Sequence, residues 1–269
     1  MTSPPHRPPR RPPHTGPPPG RAPRGHSAPG LWTTPVRGRA ALSALAWVLG
    51  YVVVLVVVVI LGLLAVRAAG AGRPDSATIA LLVLAGTAVA TLAAVRVHLL
   101  RRRGLAWADV GLRRPDRSPW HLAWQIPAVM AAGVAVSMLV LLPLGAGPGE
   151  ADDSGGDAIA DLIAGGPVFA VLGLLTVAVL VPVAEEVVFR GVVLPAVRAR
   201  LRAGTGITLA GAVFAVVHMV PPALPYLLVV GISLCAMAEW YRSIVPGMVL
   251  HGVNNATVFA GVLAAAGAA

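Results

Sequence analysis

The sequence contains no lysine, a single cysteine and few charges of any kind. Charged residues make up 12% of its 269 positions, about half the ~25% of an average soluble domain. A soluble fold of this size could not hide so much apolar surface from water. Cys235 stands alone inside an apolar run, so no intramolecular disulfide can form, and the thiol reads as a small hydrophobe. Aromatics are sparse at 5%, leaving Ala, Val, Leu and Gly to pack helices against lipid and each other. Internal repeats are also lacking, which speaks against an inverted-repeat transporter. The absence of lysine beside abundant Ala, Gly, Pro and Arg points to a GC-rich bacterial genome.

What is present is apolar: 57% of the residues are hydrophobic. The expected fold class is all-α, a polytopic membrane helical bundle of about seven transmembrane helices behind a disordered tail. Residues 1–38 hold about half of the prolines with Arg, Gly and His between them, a composition for a solvated, polyproline-like tail. It is not a signal peptide, because the first apolar run is too long and begins too far in. Seven apolar stretches follow, at 42–66, 77–97, 121–144, 167–187, 206–220, 224–241 and 244–266. Each is compared with the ~20 residues needed to span a bilayer; the fifth and sixth are short, and Pro221-Pro222 separates them.

The net charge of +10 would suggest a nucleic-acid partner in a soluble protein. Here the arginines sit at the edges of apolar runs, so they set topology and no nucleic acid is expected. Seven precede the first run, seven more lie from Arg96 to Arg117, and Arg190, Arg198, Arg200 and Arg202 lie in and beyond the end of the fourth span. The 145–166 loop instead carries Glu150, Asp152, Asp153, Asp157 and Asp161 with no basic residue. The positive-inside rule places the tail and Arg-rich links in the cytoplasm, the acidic loop outside, and the C-terminus outside. The expected location is the cell membrane, multi-pass.

Charged groups inside hydrocarbon are costly and are usually kept for function. They occur at three places: Glu185, Glu186 and Arg190 in VPVAEEVVFRG; His218 in FAVVH; and His251, Asn254 and Asn255 in HGVNN. Glu186 and Arg190 are four apart and can pair on one helix face, which leaves Glu185, about 100° around, free to point elsewhere. Phe214 with His218, and His251 with Asn255, are likewise one turn apart. Counted from the Arg-rich ends, Glu185, His218, His251 and Asn255 lie about 15, 18, 12 and 18 Å deep, on one layer. Any one of them could be interhelical glue. Two carboxylates, two imidazoles and a carboxamide at one depth contain a general base, a metal-ligand set and oxyanion donors, the parts that amide hydrolysis needs.

These three motifs, EExxxR continuing as FRG, FxxxH and HxxxN in this order, resemble the CAAX protease and bacteriocin-processing family. These are intramembrane endopeptidases related to the Ras-converting CAAX protease and called Abi in bacteria. The resemblance covers about residues 160–265, and WADVGLRR at 107–114 is similar to a lead-in that family members carry. It implies that Glu185 acts with His218 to activate water, that His251 and Asn255 stabilise the oxyanion, and that Glu186, Arg190 and Phe214 shape the site. It leaves open whether a metal takes part; Glu185, His218 and His251 could supply the three protein ligands of a catalytic zinc.

The expected organisation is a tail at 1–38, amino-terminal membrane helices at 39–159 and a catalytic membrane core at 160–269. The expected partners are the bilayer and a peptide or membrane-protein substrate cut near the cytoplasmic face. Two other readings stand beside this one: a non-proteolytic immunity or regulatory protein on the same scaffold, and a small proton-coupled transporter. The intact motif set favours the enzyme.

Overall fold

Lipid offers no hydrogen-bond partner to a peptide group, so each apolar run must satisfy its own backbone as helix. The computed structural model describes residues 36, 38–72, 74–145 and 154–268. The tail, apart from positions 36 and 38, and the acidic residues Glu150, Asp152 and Asp153 lie outside them. The described residues are helical with short connections and no strand. Six helices are long and apolar enough to cross a membrane, and one apolar helix is shorter.

The first helix, α1 (Arg39–Ala68), has 30 residues, about 45 Å of rise. None of its most apolar 18-residue window is buried, so the membrane must cover it. Its fully buried residues lie in the first turns, at Ala40, Ala41 and Ala44. The next, α2 (Ser76–Ala94), starts at Asp75, whose side chain accepts from Thr78 N at 2.7 Å. Those contacts with Thr78 hold the Asp75 carboxyl below its usual range. The helix runs on as a π-helical turn, Val95–Arg101.

The stretch that follows straps the Arg-rich end. A 3-10 turn at Trp107–Val110 buries Val110 against Gly191, where an added Cβ would lie 2.7 Å from the Val110 carbonyl oxygen. The strap is stitched to the 241–244 turn: Ile244 N donates to Gly111 O at 3.0 Å, Asp116 N to Tyr241 O at 2.9 Å, and Arg113 Nε to Arg242 O at 2.7 Å. After it comes α3 (Leu122–Leu141).

The 145–166 segment is not simply a loop. Residues Ser154–Ala164 form α4, with Ile159 and Leu162 buried and Asp157 exposed. The division placed at 159/160 falls inside this helix. Its apolar residues Ala158, Ile159, Leu162 and Ile163 share one face, and Asp157 and Asp161 share another, so a helical period was there to read. Leu162 fits over Gly173, where a Cβ would meet it at 2.9 Å.

The fourth span is one rod broken twice. It passes from α5 (Pro167–Leu175) through a π-turn (Thr176–Leu180) to α6 (Val181–Val188), then a second π-turn (Phe189–Val193) and α7 (Leu194–Arg198). Each π-turn is followed, after one intervening residue, by a proline, Pro182 or Pro195. After it, α8 (Ala203–Val217) has 15 residues, about 22 Å, short of the ~30 Å hydrocarbon layer. The fifth expected span is therefore too short to cross the hydrocarbon layer as one helix. Met219, at φ 56°, turns the chain into α9 (Leu224–Tyr241), which runs back beside α8. Gly211 and Gly231 meet there; a Cβ on Gly231 would lie 2.6 Å from the Gly211 carbonyl oxygen. Small residues let the two backbones touch, the usual basis of helix association in lipid. The last helix is α10 (Val245–Ala268).

Candidate functional site

Glu186 and Arg190 are fully buried, and Arg190 Nη1 donates to Glu186 Oε1 at 2.8 Å. Arg190 Nη2 also donates to the Gly231 carbonyl at 3.3 Å, and its guanidinium stacks 4.3 Å from the Phe214 ring. Gly247 leaves room for Glu186, since a Cβ there would stand 2.9 Å from Glu186 Oε2. The carboxylate holds a third element as well: His251 Nδ1, on α10, donates to Glu186 Oε1 at 3.1 Å. One buried ion pair thus joins the fourth span, α9 and α10.

Glu185 points the other way. Its Oε2 has no hydrogen-bond partner, and it lies 3.9 Å from His218 Nε2 and 3.6 Å from His251 Nε2. His218 ends α8, and its Nδ1 lies 2.7 Å from the Phe214 carbonyl. A carbonyl can only accept, so Nδ1 donates to it, and Nε2 is the ring nitrogen turned toward Glu185. His251 is held in the same sense by Glu186. Phe214 separates the two rings, edge-on to His218 at 4.6 Å and to His251 at 5.6 Å between centroids.

Asn255, one turn beyond His251, donates through Nδ2 to the Val177 carbonyl at 3.0 Å. The first break in the fourth span explains why that carbonyl is open. In the first π-turn Val181 N reaches back five residues to Thr176 O. The next donor in that register would be residue 182, and proline has no N–H. Gly252 then lets α10 close on the neighbouring carbonyl: a Cβ there would lie 2.4 Å from Ala178 O.

A cavity of about 410 Å³ joins these groups, lined by Glu185, Phe214, His218, His251, Asn254 and Asn255 and walled by apolar residues of α2, α4 and α9. A second, apolar cavity of about 290 Å³ lies between α1, α2 and α6 and shares Leu84, Val181 and Glu185 with the first. The structure therefore brings together Glu185, His218, His251 and Asn255, with Glu186, Arg190 and Phe214 behind them. Sequence reasoning missed Tyr226, the closing role of α4 through Ala158 and Ile159, and the contribution of Leu84. Tyr226 is one of three tyrosines and lies in an apolar run, a signal that could have been weighed.

Other polar side chains in or beside the spans pack elsewhere. His98 stacks on Trp47 with centroids 3.7 Å apart, and Tyr51 Oη lies 3.2 Å from its Nε2. His121 packs on Trp240. Glu239 pairs with Arg198 at 2.6 Å, joining α9 to α7, and Arg242 pairs with Asp116 at 3.1 Å. Cys235 is buried in the core.

For zinc, ligand bonds of about 2.0–2.2 Å in a tetrahedron set ligand atoms roughly 3.4 Å apart. The 3.6 Å gap from Glu185 to His251 is near that spacing, and the 3.9 Å gap to His218 is wider. No group of three or more His, Cys, Asp or Glu among the described residues is arranged to hold a metal ion.

Residues 167–257 match the family described as Rce1-like, type II CAAX prenyl endopeptidase. This is the family the three motifs resemble. All three lie inside the match, which covers about a third of the chain. The activity in that family's description is that of a CAAX prenyl endopeptidase. The matched segment holds the polar groups of the site; α2 and α4, which help to wall the cavity, lie outside it. No curated protein and no solved structure matches the chain.

Proposed function

We propose that this protein hydrolyses a peptide bond within the membrane by a water activated at Glu185. The observation that carries the reading is the unpartnered Glu185 Oε2 facing two imidazole Nε2 atoms in one cavity. A separation of 3.9 Å is too long for a direct hydrogen bond and suits a bridging water. Water between Glu185 Oε2 and His218 Nε2 donates a hydrogen bond to each and turns its lone pair to the substrate carbonyl. As that lone pair attacks, the pair of acceptors takes one proton and later returns it to the leaving nitrogen.

The carbonyl oxygen becomes negative and needs donors. Asn255 Nδ2 has a second N–H beyond the one given to Val177. His251, with Nδ1 committed to Glu186, donates from Nε2 only as imidazolium. Glu186 and Arg190 touch no reacting atom; they hold His251 and the helix. No step of this reading runs through a divalent metal; Glu185, His218 and His251 are the residues that would hold one.

The Arg-rich end is assigned to the cytoplasm by charge asymmetry. The bond cut then lies near the cytoplasmic face, close to a hydrophobic or lipid-bearing C-terminus that enters from the bilayer. Cleavage of a lipidated-peptide library in proteoliposomes tests the reading against Glu185→Gln, which keeps shape and removes the base. Product formation equal to wild type would defeat it. Exhaustive chelation should leave activity intact; loss that zinc restores would make Glu185 a ligand instead.

A further inference from the structure

Three polar side chains form a directed chain beside the cavity. Tyr226 Oη, on α9, donates to Asn254 Oδ1 on α10; Asn254 Nδ2 lies 3.2 Å from Asn255 Oδ1; and Asn255 Nδ2 lies 3.0 Å from the Val177 carbonyl oxygen. The orientation of a carboxamide is ordinarily ambiguous, since its N and O look alike. Here the far end removes the ambiguity. The Val177 carbonyl can only accept, so Asn255 must turn its NH₂ that way and its Oδ1 toward Asn254. Asn254 must then offer its NH₂ to Asn255 and its Oδ1 to Tyr226, which has a proton to give.

Asn254 is 6% exposed, so a reversed amide would leave buried groups unmatched, O against O and N–H against a donor. The tyrosine ring is itself held. It lies over Gly133 of α3, where a Cβ would come within 2.7 Å of two ring carbons. The chain therefore runs from the α3–α9 contact to the wall of the site.

We infer that Tyr226 and Asn254 are positioning residues that lock the amide polarity the Val177 carbonyl selects in Asn255, so that the second N–H of Nδ2, and not Oδ1, is left for the substrate oxygen. The inference rests on the endopeptidase reading and adds to it. With Oδ1 turned inward, Asn255 would repel the oxyanion it is placed to stabilise. A simpler role exists for the same contacts, glue between α9 and α10, and it predicts a different response to mutation.

Tyr226→Phe keeps the ring and removes only the hydroxyl. It should lower kcat about tenfold, less than the roughly 10²–10³ lost with an oxyanion donor itself, while KM and thermal stability in detergent hold. Added to Asn255→Ala, it should cost nothing further, because the two act through one group. Glue would instead lower stability, and it would lower activity equally in both backgrounds.

A second measurement needs no turnover. Asn254 and Asn255 are the only asparagines in the sequence. Side-chain ¹⁵N labelling of asparagine in the full protein thus yields two NH₂ signal pairs. Tyr226→Phe should shift both pairs. An unmoved Asn255 pair overturns the inference, as does an unchanged kcat in a wild-type enzyme whose cleavage depends on Glu185. Absence of Glu185-dependent cleavage in wild type sinks the endopeptidase reading instead, and the NMR signals alone then judge the hydrogen-bonded chain.

Discussion

The first and fourth spans are nearly the same length and are both strongly apolar, with 30 and 32 residues. They differ in everything else. Between Ala40 and Val66 α1 has no proline and no charge, continues without a π-turn, and meets lipid along most of its surface. The fourth span carries two π-turns, Pro182, Pro195, two glutamates and a fully buried Arg190. Apolarity selects the membrane for both. The departures from regular helix make one of them a site, by freeing carbonyls that partner helices can use and by turning two adjacent carboxylates to opposite tasks.

The contrast can be broken most severely at Glu185. Glu185→Gln should lower turnover by about 10³-fold, within the ~10²–10⁴ range of general-base catalysis, with an unchanged melting temperature. Assays in proteoliposomes against thermal melts in detergent would show the split; a parallel loss of fold would assign Glu185 to structure.

Next is Arg190→Ala. It strands the Glu186 charge among buried groups and should destabilise the protein by about 3–5 kcal/mol. Denaturant titration in mixed micelles measures this, and a stable variant would mean that His251 alone satisfies Glu186.

A subtler change makes the fourth span resemble the first. Pro182→Ala restores an N–H that can fill the Val177 carbonyl, releasing Asn255. We expect equal or greater stability together with about a tenfold loss of turnover, since an interior proline ordinarily costs a helix about 3 kcal/mol. Retained activity would show that the open carbonyl is incidental to Asn255.

The smallest effect belongs to α1. Leu61→Val, on a face 58% exposed at that residue, should change stability by less than about 0.5 kcal/mol, as surface substitutions do. A large loss would reveal a protein partner where we assign lipid.

Much of this was legible beforehand because two rules are local. Twenty apolar residues must span, and a charge among them must have a reason, so Glu185, Glu186, Arg190, His218 and His251 stood out without a structure. The i, i+4 spacing also separated Glu186 from Glu185. What failed was length at α8, where Val217 and not Val220 ends the helix, and the segment before the fourth span. There Asp157 and Asp161 drew the reading to a loop, although Ile159 and Leu162 mark the buried face of α4.

By itself the sequence determined that the chain crosses the membrane several times, which end of it is rich in arginine, and which few polar residues lie at depth. Those follow from composition and periodicity, which act within one helix. Only the tertiary structure decided that His251 spans both carboxylates, that α4 and Leu84 close the cavity, and that Tyr226 reaches Asn255 through Asn254. Each of these joins helices distant in the chain, and their relative rotation is set by where Gly173, Gly211, Gly231 and Gly252 allow backbones to touch, a matter of packing that no single helix encodes.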